Sequence, residues 1–132
     1  MKITECEADR GGAIYTSSCV GVINNSTITG NTAIEYGGAI YNSNSNCDME
    51  INNTEISNNS VTSGHGGGIY ATGSLIINGN TVISNNTASK SGGGIKVGKN
   101  GRITTNEGII KERLIKLLEN SKLSAVYLPL SP

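Results

Sequence analysis

The chain contains neither tryptophan nor phenylalanine, and only 4% of its 132 residues are aromatic. A core built on large rings is therefore excluded. Isoleucine, with 17 residues, takes their place, and β-branched side chains of this kind suit strands. Net charge is absent as well, because ten basic residues balance ten acidic ones. No basic field draws nucleic acid or anionic lipid, and no acidic tail marks a charged partner. No apolar run approaches the length of a membrane span, so no membrane insertion is expected in this segment. The N-terminus lacks the basic-then-apolar pattern of a signal peptide, which leaves either a removed leader or an internal segment begun by an added Met1. Cysteine is scarce: Cys6, Cys19 and Cys47 stand in no CxxC pair, and His65 is the single histidine. A structural zinc site is thereby excluded, and no metal or other cofactor is expected. At this length the chain forms one domain.

Glycine (18 residues), asparagine (17), serine (15) and threonine (12) fill most of the remainder, and they recur in register. Four pentapeptides lead: Gly11-Gly12-Ala13-Ile14-Tyr15, Gly37-Gly38-Ala39-Ile40-Tyr41, Gly66-Gly67-Gly68-Ile69-Tyr70 and Gly92-Gly93-Gly94-Ile95-Lys96. Their isoleucines are 26, 29 and 26 residues apart (40−14, 69−40, 95−69). Between them recur Ile28-Thr29-Gly30-Asn31-Thr32-Ala33, Ile56-Ser57-Asn58-Asn59-Ser60-Val61 and Ile83-Ser84-Asn85-Asn86-Thr87-Ala88, with a degenerate copy at Ile3–Ala8. A third segment, Cys47–Ile51 or Gly73–Ile77 and more loosely Cys19–Ile23, precedes each second motif. Three short strand-like segments per period, each ending in Gly, Asn or Ser, cannot bury their own inward faces. Stacked coil upon coil at ~4.8 Å, they can.

The expected fold is therefore all-β, a single-stranded right-handed parallel β-helix of about four to five coils. Its isoleucine ladders are Ile14/Ile40/Ile69/Ile95, Ile28/Ile56/Ile83 and Ile23/Ile51/Ile77. Asn31, Asn59 and Asn86 share one slot, suited to a stacked amide ladder, and Cys6 falls in the same slot. Residues 1–106 carry the coils. Residues 107–132 form a degenerate last coil of the same domain, with a short capping helix over Ile109–Asn120. The N-terminal coil has no such cover, so weak end-to-end association of two copies through Ile3 and Ile14 is expected.

These paired Gly-Gly-Ala-Ile and Ile-x-x-Asn motifs resemble the repeats of chlamydial polymorphic outer-membrane proteins. They are also similar to Gly-Gly-Gly-Ile-Tyr repeat surface proteins of Gram-positive bacteria, within the pectin-lyase-like class of β-helices. The match covers residues 1–106, with Ile standing where the chlamydial repeat usually has Phe. The resemblance implies an extracellular, cell-surface adhesin or passenger segment of structural function, with a host-surface protein or glycan as partner.

Several chemical motifs dissolve on inspection. Gly93–Asn100 approaches a phosphate-binding loop, but Asn100 replaces the hydroxyl that would hold Mg²⁺, and the stretch lies inside the repeat. His65-Gly66-Gly67-Gly68 resembles an oxyanion-hole motif without a Gly-x-Ser-x-Gly nucleophile, and His65 reads as an exposed loop residue with no serine or cysteine partner. Asp9 and Asp48 lie in different coils, and Glu35, Glu50 and Glu55 do not share a slot, so no converging catalytic carboxylates are expected and the chain is not read as an enzyme. A polysaccharide-binding or polysaccharide-degrading β-helix is the alternative. Tyr15, Tyr41, Tyr70 and Tyr127 each follow an inward residue of the Gly-Gly motif and should point outward. They form a possible ligand or partner face, though mutual shielding of the rings is the favoured reading. The Ser26/Thr54/Thr81 and Thr29/Ser57/Ser84 hydroxyls read as solvated strand residues. Cys19 and Cys47 each precede their ladder isoleucine by four, so they could be a disulfide or a reduced stacked pair.

Overall fold

The structure is a computed structural model that describes residues 1–17, 21–46, 48–98, 103–105, 108–109 and 126–127. The described residues form a parallel β-solenoid of four coils, each contributing one short strand to each of four sheets. The first sheet stacks β1 (Lys2–Thr4), β5 (Thr27–Thr29), β9 (Glu55–Ser57) and β13 (Val82–Ser84). The second stacks β2 (Glu7–Arg10), β6 (Thr32–Tyr36), β10 (Ser60–Val61) and β14 (Thr87–Ala88). The third holds β3 (Ile14–Thr16), β7 (Ile40–Asn42), β11 (Ile69–Ala71) and β15 (Ile95–Val97). The fourth holds β4 (Gly21–Asn24), β8 (Met49–Asn52), β12 (Leu75–Asn78) and β16 (Ile103–Thr105).

All three isoleucine ladders stand in the register read from the period, and Ile3 extends the one through Ile28. Alternation then buries every second residue. Ile28, Ile40, Ile51, Ile56, Ile69, Ile77, Ile83 and Ile95 are sealed from solvent, joined by Met49, Leu75 and Ile103 of the fourth sheet. Because each ladder repeats one side chain at strand spacing, the core fills without aromatic bulk.

The sequence suggested three strands per coil, whereas the structure has four. The second motif bends in its middle, where Glu5, Gly30, Asn58 and Asn85 all take positive φ (60, 71, 56 and 54°). Asn, Asp and Gly tolerate that conformation best. The next residue turns inward and closes the corner. Asn31 Oδ1 accepts the Cys6 N–H, Asn59 Oδ1 the Asn31 N–H, and Asn86 Oδ1 the Asn59 N–H, each at 2.9 Å. The amide Nδ2 groups of Asn31, Asn59 and Asn86 donate to the carbonyls of Ile3, Ile28 and Ile56. The expected asparagine ladder is present, with Cys6 in its slot.

A second corner corrects the reading of Ser26, Thr54 and Thr81, which are buried and not solvated. Thr54 Oγ1 accepts the Ser26 N–H and Thr81 Oγ1 the Thr54 N–H, while the three hydroxyls donate to the carbonyls of Asn24, Asn52 and Asn78. No described buried side-chain nitrogen or oxygen lacks a partner.

The C-terminal end departs from the parallel pattern. β17 (Gly108–Ile109) runs antiparallel to β16, and β18 (Val126–Tyr127) antiparallel to β13. Ile109, expected to open the capping helix, therefore lies in a strand, and residues 110–125 of that helix and its flank lie outside the described residues. Among the described residues these two strands stand at the ends of the fourth and first sheets and are the ones that pair antiparallel.

Candidate binding corner

The third corner carries the chemistry. Between the second and third sheets the chain turns at Gly11, Gly37, Gly66 and Gly92, whose φ values are 63, 63, 71 and 67°. Glycine is required here twice over. The conformation disfavours any Cβ, and one built on Gly66 would lie 2.6 Å from the Ile69 carbonyl oxygen and 2.8 Å from Tyr70 Cβ. At Gly92 the same atom would meet Lys96 Cβ at 2.8 Å. The bare turn therefore lets the side chains before and after it close upon each other.

Two ladders flank the turn. After it come Tyr15, Tyr41, Tyr70 and Lys96, aligned on the third sheet as the pentapeptide implied. Before it come Arg10, Tyr36, His65 and Ser91, aligned by the pairing of Arg10 with Tyr36 and by isolated bridges from Tyr36 to His65 and from His65 to Ser91. The second ladder was not found in the sequence. Its four members share no residue type, and a register shift between Ala8 and Arg10 displaces its first member.

Tyr36 is the residue that joins them. Its ring centroid lies 5.3 Å from that of Tyr41 and 4.8 Å from that of Tyr70. Tyr15 meets Tyr41 edge-on at 5.2 Å, and Tyr41 meets Tyr70 at 5.5 Å. Tyr41 consequently points outward yet is only 9% exposed, whereas Tyr15 at the end of the stack is 51% exposed. The rings shield one another, and Tyr36 of the neighbouring sheet adds to that shield. Arg10 stacks over Tyr36 with its guanidinium 5.6 Å from the ring centroid, and its Nε–H donates to Glu35 Oε2 at 2.8 Å. Asp9, Arg10, Tyr15 and Glu35 line a surface depression of about 340 Å³.

Tyr127 stands elsewhere: in β18 its backbone faces Val82 on the first sheet, not the tyrosine ladder. Ser124 and Ala125 replace the glycine pair that turns the chain in each coil. Cys19 and Cys47 lie outside the described residues, and Cys6 is a free, half-buried thiol.

His65 also departs from its expected isolation. It is half-buried, and its Nδ1 lies 2.6 Å from Ser91 Oγ. Burial, then Lys96 and Lys90, push its pKa below 6.5, opposed by a hydrogen bond to the Ser91 backbone. Burial likewise raises the phenols of Tyr41 and Tyr70, and the hydrogen bond and charge of Glu35 raise Arg10. The sign for His65 follows from linkage. A folded pKa below the unfolded one means that the unfolded chain binds more protons, so stability falls as pH drops through about 6.5. Chemical denaturation at neutral and mildly acidic pH should show that loss in the native chain and a smaller one in His65→Gln. An equal loss in both would deny His65 this role.

The corner recurs in every coil, and the comparison with known families matches that recurrence. Residues 25–43, 53–72 and 80–98 each match the Chlamydia polymorphic membrane protein (Chlamydia_PMP) repeat. Those three stretches are β-helix repeats of the polymorphic membrane protein type. No curated protein and no solved structure matches the chain significantly. Each matched polymorphic membrane protein repeat runs through the first three sheets, and so includes the asparagine corner, the glycine corner and the strand bearing Tyr41, Tyr70 or Lys96. The fourth-sheet strands fall outside the matched stretches.

Proposed function

We propose that this chain is a non-catalytic, surface-displayed adhesive segment whose glycine corner is its contact face. The family supports an outer-membrane or cell-surface location, since its repeats are named for membrane proteins. One observation carries the contact-face reading. Two ladders from different sheets converge outside the core, and they gather four tyrosines, Arg10 and His65 along one edge. Aromatic and arginine side chains held on rigid backbone are the groups that dominate protein and glycan recognition. The solenoid supplies the rigidity, and the glycine turn supplies the convergence.

Attachment of protein-coated beads to cultured epithelial cells tests this reading. Beads bearing the native chain should attach severalfold more than beads bearing Arg10→Ala/Tyr15→Ala, and beads bearing Val22→Ser, an exposed position on the fourth sheet, should attach like the native chain. Attachment no better than with albumin, or equal loss in both variants, would contradict the reading. Release of reducing sugar from a polysaccharide panel would contradict its non-catalytic part and favour the polysaccharide-degrading alternative.

A further inference from the structure

We propose that the depression formed by Asp9, Arg10, Tyr15 and Glu35 is a subsite for one neutral sugar ring. The inference rests on the glycine corner being the contact face, and it names the ligand at one end of it.

Charge selects first. Asp9 and Glu35 outnumber the one guanidinium and so oppose an anion, while Arg10, already paired with Glu35, still offers N–H donors to hydroxyl groups. A ligand with hydroxyl donors and acceptors but no net charge satisfies both. Shape selects next. The depression holds about 340 Å³, enough for a single pyranose, and the neighbouring Tyr41 is too covered to continue a platform along the stack. Tyr15 alone among the stacked rings is mostly open, at 51% exposure. Its edge contact with Tyr41, at 84° between planes, holds the ring without enclosing it, which leaves aromatic surface for the C–H face of a sugar.

Hydrogen bonding completes the case. Arg10 is steadied by Tyr36 and commits only its Nε–H to Glu35, and a guanidinium carries four further donors. Among the described residues no ion pair engages Asp9, whose carboxylate can accept from adjacent hydroxyls. The Arg10 donor is thus held beside an aromatic ring before any ligand arrives, which limits the ordering cost of binding.

Saturation-transfer NMR tests the subsite with the methyl glycosides of glucose, galactose, mannose and N-acetylglucosamine, beside glucuronate and glucosamine as charged controls. At least one neutral glycoside should receive saturation at its ring C–H protons. Tyr15→Ala should weaken that binding about tenfold, from loss of the stacked ring. Asp9→Asn should weaken it too, and Val22→Ser, on the fourth sheet, should not. Thermal melts of each variant confirm folding. No transfer to any neutral glycoside, transfer unchanged in Tyr15→Ala, or preference for a charged control would overturn the subsite. Bead attachment that persists while the glycosides fail would overturn the sugar and leave the contact face standing; loss of both would overturn both.

Discussion

Replacing Asn59 by alanine is expected to destabilise the chain by about 3 kcal/mol or more, the sum expected when several buried polar groups lose partners at once. The side chain is 1% exposed and makes four contacts. Its Oδ1 accepts from the Asn31 N–H at 2.9 Å and from Asn31 Nδ2 at 3.0 Å. Its Nδ2 donates to the Ile28 carbonyl at 3.1 Å and to Asn86 Oδ1 at 2.9 Å. Alanine removes all four, and no water-accessible surface replaces them. Asn59→Asp should be worse, although it keeps the shape. An ionised carboxylate cannot donate to Ile28 or Asn86, and it would sit uncompensated in the interior. Urea unfolding measures the difference; a loss below about 1 kcal/mol, the value of a single ordinary hydrogen bond, would mean that the ladder does not bridge the coils.

Ile69→Asp is expected to abolish folding. Ile69 is completely buried in the third coil, between Ile40 and Ile95. Loss of the apolar side chain alone costs about 2–5 kcal/mol, and an unpaired buried carboxylate adds several more. Against a typical total of about 5–15 kcal/mol the folded state does not survive. Ile69→Val should cost only about 0.5–1.5 kcal/mol. Position 70 gives the informative comparison. From alternation alone Tyr70→Ser should cost little, but in the structure Tyr70 packs on Tyr36, Tyr41 and His65. About 1–3 kcal/mol is therefore expected, between the surface and core cases. Circular dichroism and thermal melts of the three variants rank them. A folded Ile69→Asp, or Tyr70→Ser as damaging as Ile69→Asp, would contradict the inward and outward assignment.

The ladders of isoleucine and asparagine were legible because one residue type returns to one slot at each period, so identity reveals position. The fourth strand of each coil was hidden by the same economy. Gly30, Asn58 and Asn85 look like interchangeable loop residues, and only their shared positive φ shows that a strand bends there. Ser26, Thr54 and Thr81 misled for a related reason, since a hydroxyl reads as solvent-facing until its backbone partners in the adjacent coil are known. Half of the candidate site was readable and half was not. Tyr15, Tyr41 and Tyr70 announce themselves after Gly-Gly, whereas Arg10, Tyr36, His65 and Ser91 have nothing in common but their place before the turn. Their convergence depends on a backbone angle and on coil loops of unequal length, neither of which a residue pattern records.

Ring-to-ring nuclear Overhauser contacts of Tyr36 test the central claim most directly, because Tyr36 belongs to the second sheet and its neighbours to the third. The solenoid predicts strong contacts from the Tyr36 ring to both Tyr41 and Tyr70, whose centroids are 5.3 and 4.8 Å away, and from Tyr15 to Tyr41. It predicts none between Tyr15 and Tyr70, which stand two coils apart at about 9.6 Å by strand spacing. A Tyr36 ring in contact with neither Tyr41 nor Tyr70 would contradict both the coil register and the corner built upon it.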